Sequence, residues 1–116
     1  MSELRANTIS DAAGTGPVTL TKQSAAKAWL QYLQATPAVS ASFNVSSVSD
    51  DATGRFTVNY TSAFSSNAHG RSLMANYGTF CGVVARSTTN TQFETQEDAG
   101  TALDTGNYGS FHGDLA

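Results

Sequence analysis

Cysteine, histidine and carboxylate side chains bound what this chain could catalyse or ligate. Cys81, His69 and His112 together could furnish a thiolate with its base, or a set of zinc ligands. Their separations match no zinc spacing, and Cys81 lies within Phe80-Cys81-Gly82-Val83-Val84, where a thiol behaves as a small hydrophobe. Glu94, Glu97, Asp98 and Asp104 could gather around a cation, but they lack the ligand order of a calcium loop and read as solvated connections. Gly14-Thr15-Gly16 has no strand pattern before it and none of the other phosphate-loop residues, so it reads as a turn. Asn44-Val45-Ser46 and Asn59-Tyr60-Thr61 match the glycosylation sequon, yet both fall in strand patterns and no secretory leader opens the sequence. Trp29 could stack on a sugar, although a lone Trp more often serves a core or an interface. With 14 Ser and 15 Thr in 116 residues, no Ser/His/Asp arrangement stands apart from chance. Paired carboxylates in a cleft, as glycoside hydrolysis requires, are not displayed either. The expectation is a non-enzymatic protein with no catalytic, cofactor-binding or metal residues.

The strands that carry these side chains centre on Ser42 to Ala63. Phe43 and Val45 alternate with polar residues, as do Phe56, Val58 and Tyr60, the period-two pattern of strands with one buried face. Asp50-Asp51-Ala52-Thr53-Gly54 between them is rich in turn formers, and Gly54 accepts positive φ. The reading is an antiparallel hairpin with a loop of about five residues. Val48 falls out of phase, which predicts a bulge or an early strand end near Ser46-Ser47. Ser24 to Gln34 suits a helix by propensity, while Ala25, Trp29 and Leu33 make a helical stripe and Ala28, Leu30 and Tyr32 a strand face, so periodicity does not decide. The expectation of a strand from Ala28 to Leu33 rests on the resemblance given below.

Beyond Ala63 the pattern continues in short strands. Thr79 to Arg86 is apolar on both faces, which suits a central strand covered on both sides. Phe93 centres another, and Leu103 and Tyr108 to Phe111 supply the last ones. Short strands and frequent turn signals predict an all-β fold, a small antiparallel β-sandwich or jelly-roll-like domain over residues 22–116. Phe43, Val45, Phe56, Val58, Phe80 and Val84 are expected to face a common core. Residues 1–21 read as an extended N-terminal arm, because Leu4, Ile9, Val18 and Leu20 are too sparse to form a face and Gly14-Thr15-Gly16-Pro17 prevents a helix.

Leu, Val, Phe and Ile make up only 21 of the 116 residues, a thin core that favours further burial between subunits. The net charge of −3 and the scattered basic residues argue against nucleic acid as the main partner. No apolar run is long enough to insert into a membrane, and the single Cys81 excludes an internal disulfide. Leu4, Ile9, Val18 and Trp29 are the candidate interface anchors.

Read in order, Ala26-Lys27-Ala28-Trp29, Ser42 to Asp50 and Gly54 to Thr61 resemble a domain recurrent in tail-fibre-like and other structural proteins of bacteriophages. The opening Ser2 to Ser10, followed by Gly14-Thr15-Gly16-Pro17-Val18, looks like the start of many such virion proteins. The resemblance runs from residue 2 to the end of the hairpin at Thr61. It departs at Leu33-Gln34-Ala35-Thr36-Pro37, where that family has a Gly-rich turn. From Ser62 onward it is one of style. It implies a virion structural protein, made in the host cytoplasm and placed on the phage particle surface. There it would decorate or cement the particle through contacts with capsid or tail subunits. It also implies a homo-oligomer, most simply a homotrimer. The alternative it implies is a short tail fibre or receptor-binding appendage touching host-surface glycans. The absence of a shaft-like segment favours the decorating role.

Overall fold

Residues 12–14, 26–76 and 78–116 are described by the structure, a computed structural model. Their order is β1 (Ala26–Leu33), β2 (Ala38–Phe43), β3 (Val45–Ala52), β4 (Arg55–Tyr60), β5 (Gly70–Ala75), β6 (Thr79–Arg86), β7 (Asn90–Glu97) and β8 (Gly106–His112). They form two antiparallel four-stranded sheets, ordered β2-β1-β8-β5 and β3-β4-β7-β6, packed as a small β-sandwich.

Period-two burial makes the core. Ala28, Leu30 and Tyr32 of β1 and Phe111 of β8 point inward from the first sheet. Phe56, Val58 and Tyr60 of β4 and Phe93 of β7 meet them from the second. Tyr32, Phe56, Phe93 and Phe111 form a chain of tilted rings with centroids 5.0, 5.6 and 6.0 Å apart. Such offset and tilted contacts suit the ring quadrupoles better than a face-to-face sandwich does. Ala28 to Leu33 is therefore strand, as expected, against its helical propensity, and β1 begins two residues earlier, at Ala26.

The β3–β4 hairpin and its bulge are present: the register shifts between Val45 and Ser47. Val45 and Val48, on either side of that shift, both pack against the core. The loop is shorter than expected. Asp50, Asp51 and Ala52 belong to β3, and the turn is Thr53-Gly54, with Gly54 at φ 70°. A Cβ on Gly54 would lie 2.5 Å from the Thr95 carbonyl oxygen, so both conformation and space demand glycine here.

Three expected core residues are not in the core. Phe43 belongs to β2 rather than to the hairpin, in the other sheet, because Asn44 takes φ 54° and turns the chain between sheets. Phe43 is 57% exposed. Phe80 and Val84 lie on β6, an edge strand of the second sheet and not a central one, and are 63% and 45% exposed. Cys81, expected among buried hydrophobes, is exposed there too. Leu103 lies outside the strands, half-exposed, while β8 supplies the final strand as expected. Leu4, Ile9, Val18 and the arm of residues 1–21, apart from 12–14, lie outside the described residues.

Candidate interaction face

Residues opposite one another on neighbouring strands share a face, so register alone assembles the outer surface of each sheet. On the first sheet, Trp29 pairs with Phe43 on one side and Ser110 on the other, and Ser110 pairs with Ser72. The next rung is Ala41, Gln31, Tyr108 and Met74, followed by Ala38, Leu33 and Gly106. Trp29 lies between buried Ala28 and Leu30, which fixes this side as the outer one. These rungs contain no charged residue, and Trp29, Leu33, Phe43, Met74 and Tyr108 are 37–70% exposed.

The second sheet presents the opposite character. Asn59 Nδ2 donates to Ser47 Oγ and Ser49 Oγ at 3.2 and 3.3 Å. Gln92 Nε2 donates to Asp51 at 2.9 Å, and Arg55 pairs with Glu94 at 3.2 Å. A polar cross-strand ladder of this kind is a solvated surface. Apart from Phe80 and Val84 on its edge strand β6, the second sheet thus faces water, and the first presents apolar groups with nothing over them among the described residues.

At roughly 200 Å² for a large side chain, those five exposures leave on the order of 500 Å² of apolar surface. That is the upper range for the largest patch on a monomer, and patches of this size are often functional. Burying it is worth about 12 kcal/mol gross at about 25 cal/mol per Å². Association itself costs about 4–15 kcal/mol. The face alone roughly breaks even, so it needs surrounding contacts or repetition.

The residues singled out for chemistry do not converge. Cys81 donates from its Sγ to the Leu73 carbonyl at 3.2 Å, between β6 and β5. His112 Nε2 lies 3.4 Å from Ser110 Oγ. His69 is buried, stacked on Phe64 with ring centroids 3.9 Å apart. Its Nδ1 donates to the Ser66 carbonyl at 2.9 Å, which leaves Nε2 to accept from the Tyr60 hydroxyl at 3.1 Å. Thr91 then donates to Tyr60 at 2.7 Å and accepts from Arg71 Nε at 2.8 Å. Burial, opposed only in part by the Ser66 bond, holds the imidazole below its ordinary pKa. Burial likewise pushes the Tyr60 phenol up. This relay clamps one end of the sandwich.

Glu94 is tied to Arg55, and Asp104 accepts from the Gly54 amide at 2.7 Å. Asn44, part of one sequon, lies at the corner between strands; its Oδ1 accepts from Ser62 N at 2.7 Å and its Nδ2 donates to the Ser62 carbonyl at 3.2 Å. Among the described residues no group of three or more His, Cys, Asp or Glu is placed to hold a metal, and no helix is long and apolar enough to cross a membrane. Of the candidate anchors, Trp29 lies on the apolar face. Phe43, Met74 and Tyr108 beside it escaped sequence reasoning, because only the register of β1, β2, β5 and β8 brings them together. No family model matches this chain, and no curated protein or solved structure does so either.

Proposed function

We propose that this protein is a non-enzymatic structural module that assembles with copies of itself and seats the outer face of its first sheet on another protein. The particle implied by the sequence resemblance is a phage virion, which the protein would decorate or cement by contacting capsid or tail subunits. The trimer expectation comes from the same resemblance. The observation that supports a docking role is the charge-free face carrying Trp29, Phe43, Tyr108, Met74 and Leu33. Beside Gln31, Ser72, Ser110, the Tyr108 hydroxyl and the Trp29 indole N–H, the face exposes aliphatic Met74 and Leu33 with Phe43, which suits a protein surface better than a host glycan. Since the face alone roughly offsets the cost of association, occupancy must come from many copies bound at once.

The test is a phage whose copy carries Met74→Glu together with Phe43→Ser, both at exposed positions. On this reading the variant protein folds, is lost from purified particles, and leaves heads that release DNA at lower temperature while adsorption stays normal. Lost adsorption with robust heads would replace decoration by the fibre role. Particles that retain the variant and match wild type in both assays would overturn the docking face.

A further inference from the structure

The edge of β6 is built unlike an edge that must stay free. Thr79 to Ala85 carries no charge, and both faces of the strand expose apolar groups: Phe80 at 63%, Val83 at 47% and Val84 at 45%. Free edges are ordinarily blunted by charge, proline or cover, because their unpaired amides and carbonyls recruit other strands. The edge of β3 shows that protection, with Asp50, Asp51 and two register shifts. On β6 only the bulge between Val83 and Ala85 intervenes, and the run from Thr79 to Val83 pairs without a break.

Each face of β6 also opens onto a groove. Towards the core, Cys81 and Val83 border a cavity of about 160 Å³ floored by Phe93 of β7 and walled by Leu73 and Arg71 of β5. On the outer side, Phe80 and Val84 border one of about 260 Å³ reaching Glu94 and Gln96. Both far exceed the roughly 30 Å³ share of one water and are sized for side chains. Gly82 leaves open space between them, with nothing within 4 Å of where a Cβ would stand. A fifth strand on this edge would place alternate side chains in the two grooves, as sheet periodicity requires.

We infer that the β6 edge is a strand-acceptor site, and that its occupant is the segment around Val18-Thr19-Leu20-Thr21 of a second copy of this chain. The inference rests on the self-assembly part of the proposed function and gives it a mechanism. That segment alternates β-branched or aliphatic groups with threonines, is uncharged, and opens with Pro17, which a strand tolerates at its first residue. It lies within the 25 residues that precede β1. Direction favours a second copy over the same chain. The starts of β1 and β5 share an end of the sheet, since Ala26 and Gly70 both pair with His112. β6 runs back towards that end, so a chain's own arm leading into Ala26 would have to lie parallel to β6. Parallel pairing is the slightly weaker arrangement. A neighbour's arm is free to pair antiparallel, and repeated head-to-tail donation closes a ring when the rotation permits.

The single native cysteine makes the contact testable in the full-length protein. Thr19→Cys in a Cys81→Ser background is mixed with the natural chain and oxidised gently, with Val18→Cys and Leu20→Cys alongside to cover the register. A disulfide-linked heterodimer between the arm cysteine and Cys81, identified by mass, is the expected result. Sedimentation in the micromolar range should also show at least tenfold weaker self-association for Val83→Lys and for Leu20→Lys, while Met74→Glu on the other face leaves it unchanged. Oligomers that ignore both substitutions and yield no such heterodimer would overturn strand donation and leave self-assembly standing. In a Thr19→Cys chain that keeps Cys81, a bond formed only within one chain would also overturn it. A natural chain that is monomeric throughout would remove the self-assembly reading as well.

Discussion

His69 is an imidazole arranged to stay neutral. Its Nε2 accepts from Tyr60 while Nδ1 is committed to Ser66, so a second proton would turn the acceptor into a donor facing a donor. Its pKa is lowered in the fold, so below about 6.5 the unfolded chain takes up a proton that the folded chain refuses. The stabilisation from neutral His69 is complete above that value and is lost as pH falls from it towards the depressed folded value. Urea midpoints should drop across this range, and His69→Gln should be weaker at pH 8 with a flatter acid limb. Phe56 makes a simpler case. Fully buried between Tyr32 and Phe93, it should cost about 3–5 kcal/mol as Phe56→Ala, measured by chemical denaturation. At the other end of the core, Gln34 Oε1 accepts from Thr105 N at 2.8 Å, Thr95 Oγ1 at 3.0 Å and Asn107 Nδ2 at 3.2 Å. Gln34→Leu strands the Thr105 amide, while Thr95 Oγ1 keeps the Leu103 carbonyl and Asn107 Nδ2 keeps the Thr105 carbonyl, and should cost about 1–3 kcal/mol.

At the scale of elements, the corner at Asn44 decides how far the sequence could be read. Phe43 and Val45 keep a perfect two-residue spacing through it, so alternation assigns them to one strand and one face. The left-handed turn of a single residue sends Phe43 to the outer face of the first sheet and Val45 to the core of the second. Asn adopts this conformation more readily than other non-glycine residues, and its amide bonds to Ser62 hold it there. Asn44→Gly keeps the backbone and loses only those bonds, a cost of about 1 kcal/mol. Asn44→Val forces a β-branched residue into the same region and should cost more than about 2 kcal/mol, with near-ultraviolet circular dichroism reporting the disturbed packing. Periodicity left β1 open between helix and strand, whereas the hairpin, the irregularity near Ser46-Ser47, Gly54 and β8 were legible because local pattern determines them. The role of β6 was not. A strand apolar on both faces looks identical in sequence whether neighbouring elements cover it or an edge leaves it open.

At the scale of the whole molecule the two sheets differ, the second meeting water through a hydrogen-bonded polar ladder everywhere but at its apolar β6 edge, the first presenting aromatic and aliphatic groups. Met74→Glu, at 70% exposure, should leave the melting temperature nearly unchanged and clearly reduce the binding of a hydrophobic dye. A matching loss of melting temperature would mean that Met74 packs inside the folded unit.

β8 lies between β1 and β5, so among the described strands the last to be made forms the middle of the sheet begun by the first. The second sheet draws all its strands from residues 45–97 and can pair while synthesis continues. The first sheet must wait, closing a loop from Ala26 to His112, the kind of distant pairing that slows β-sandwich folding. Tyr108 and Ser110 of that strand also supply the inner column of the apolar face. A chain cut before β8 therefore has no such face to present, so the face exists only once the sheet has closed.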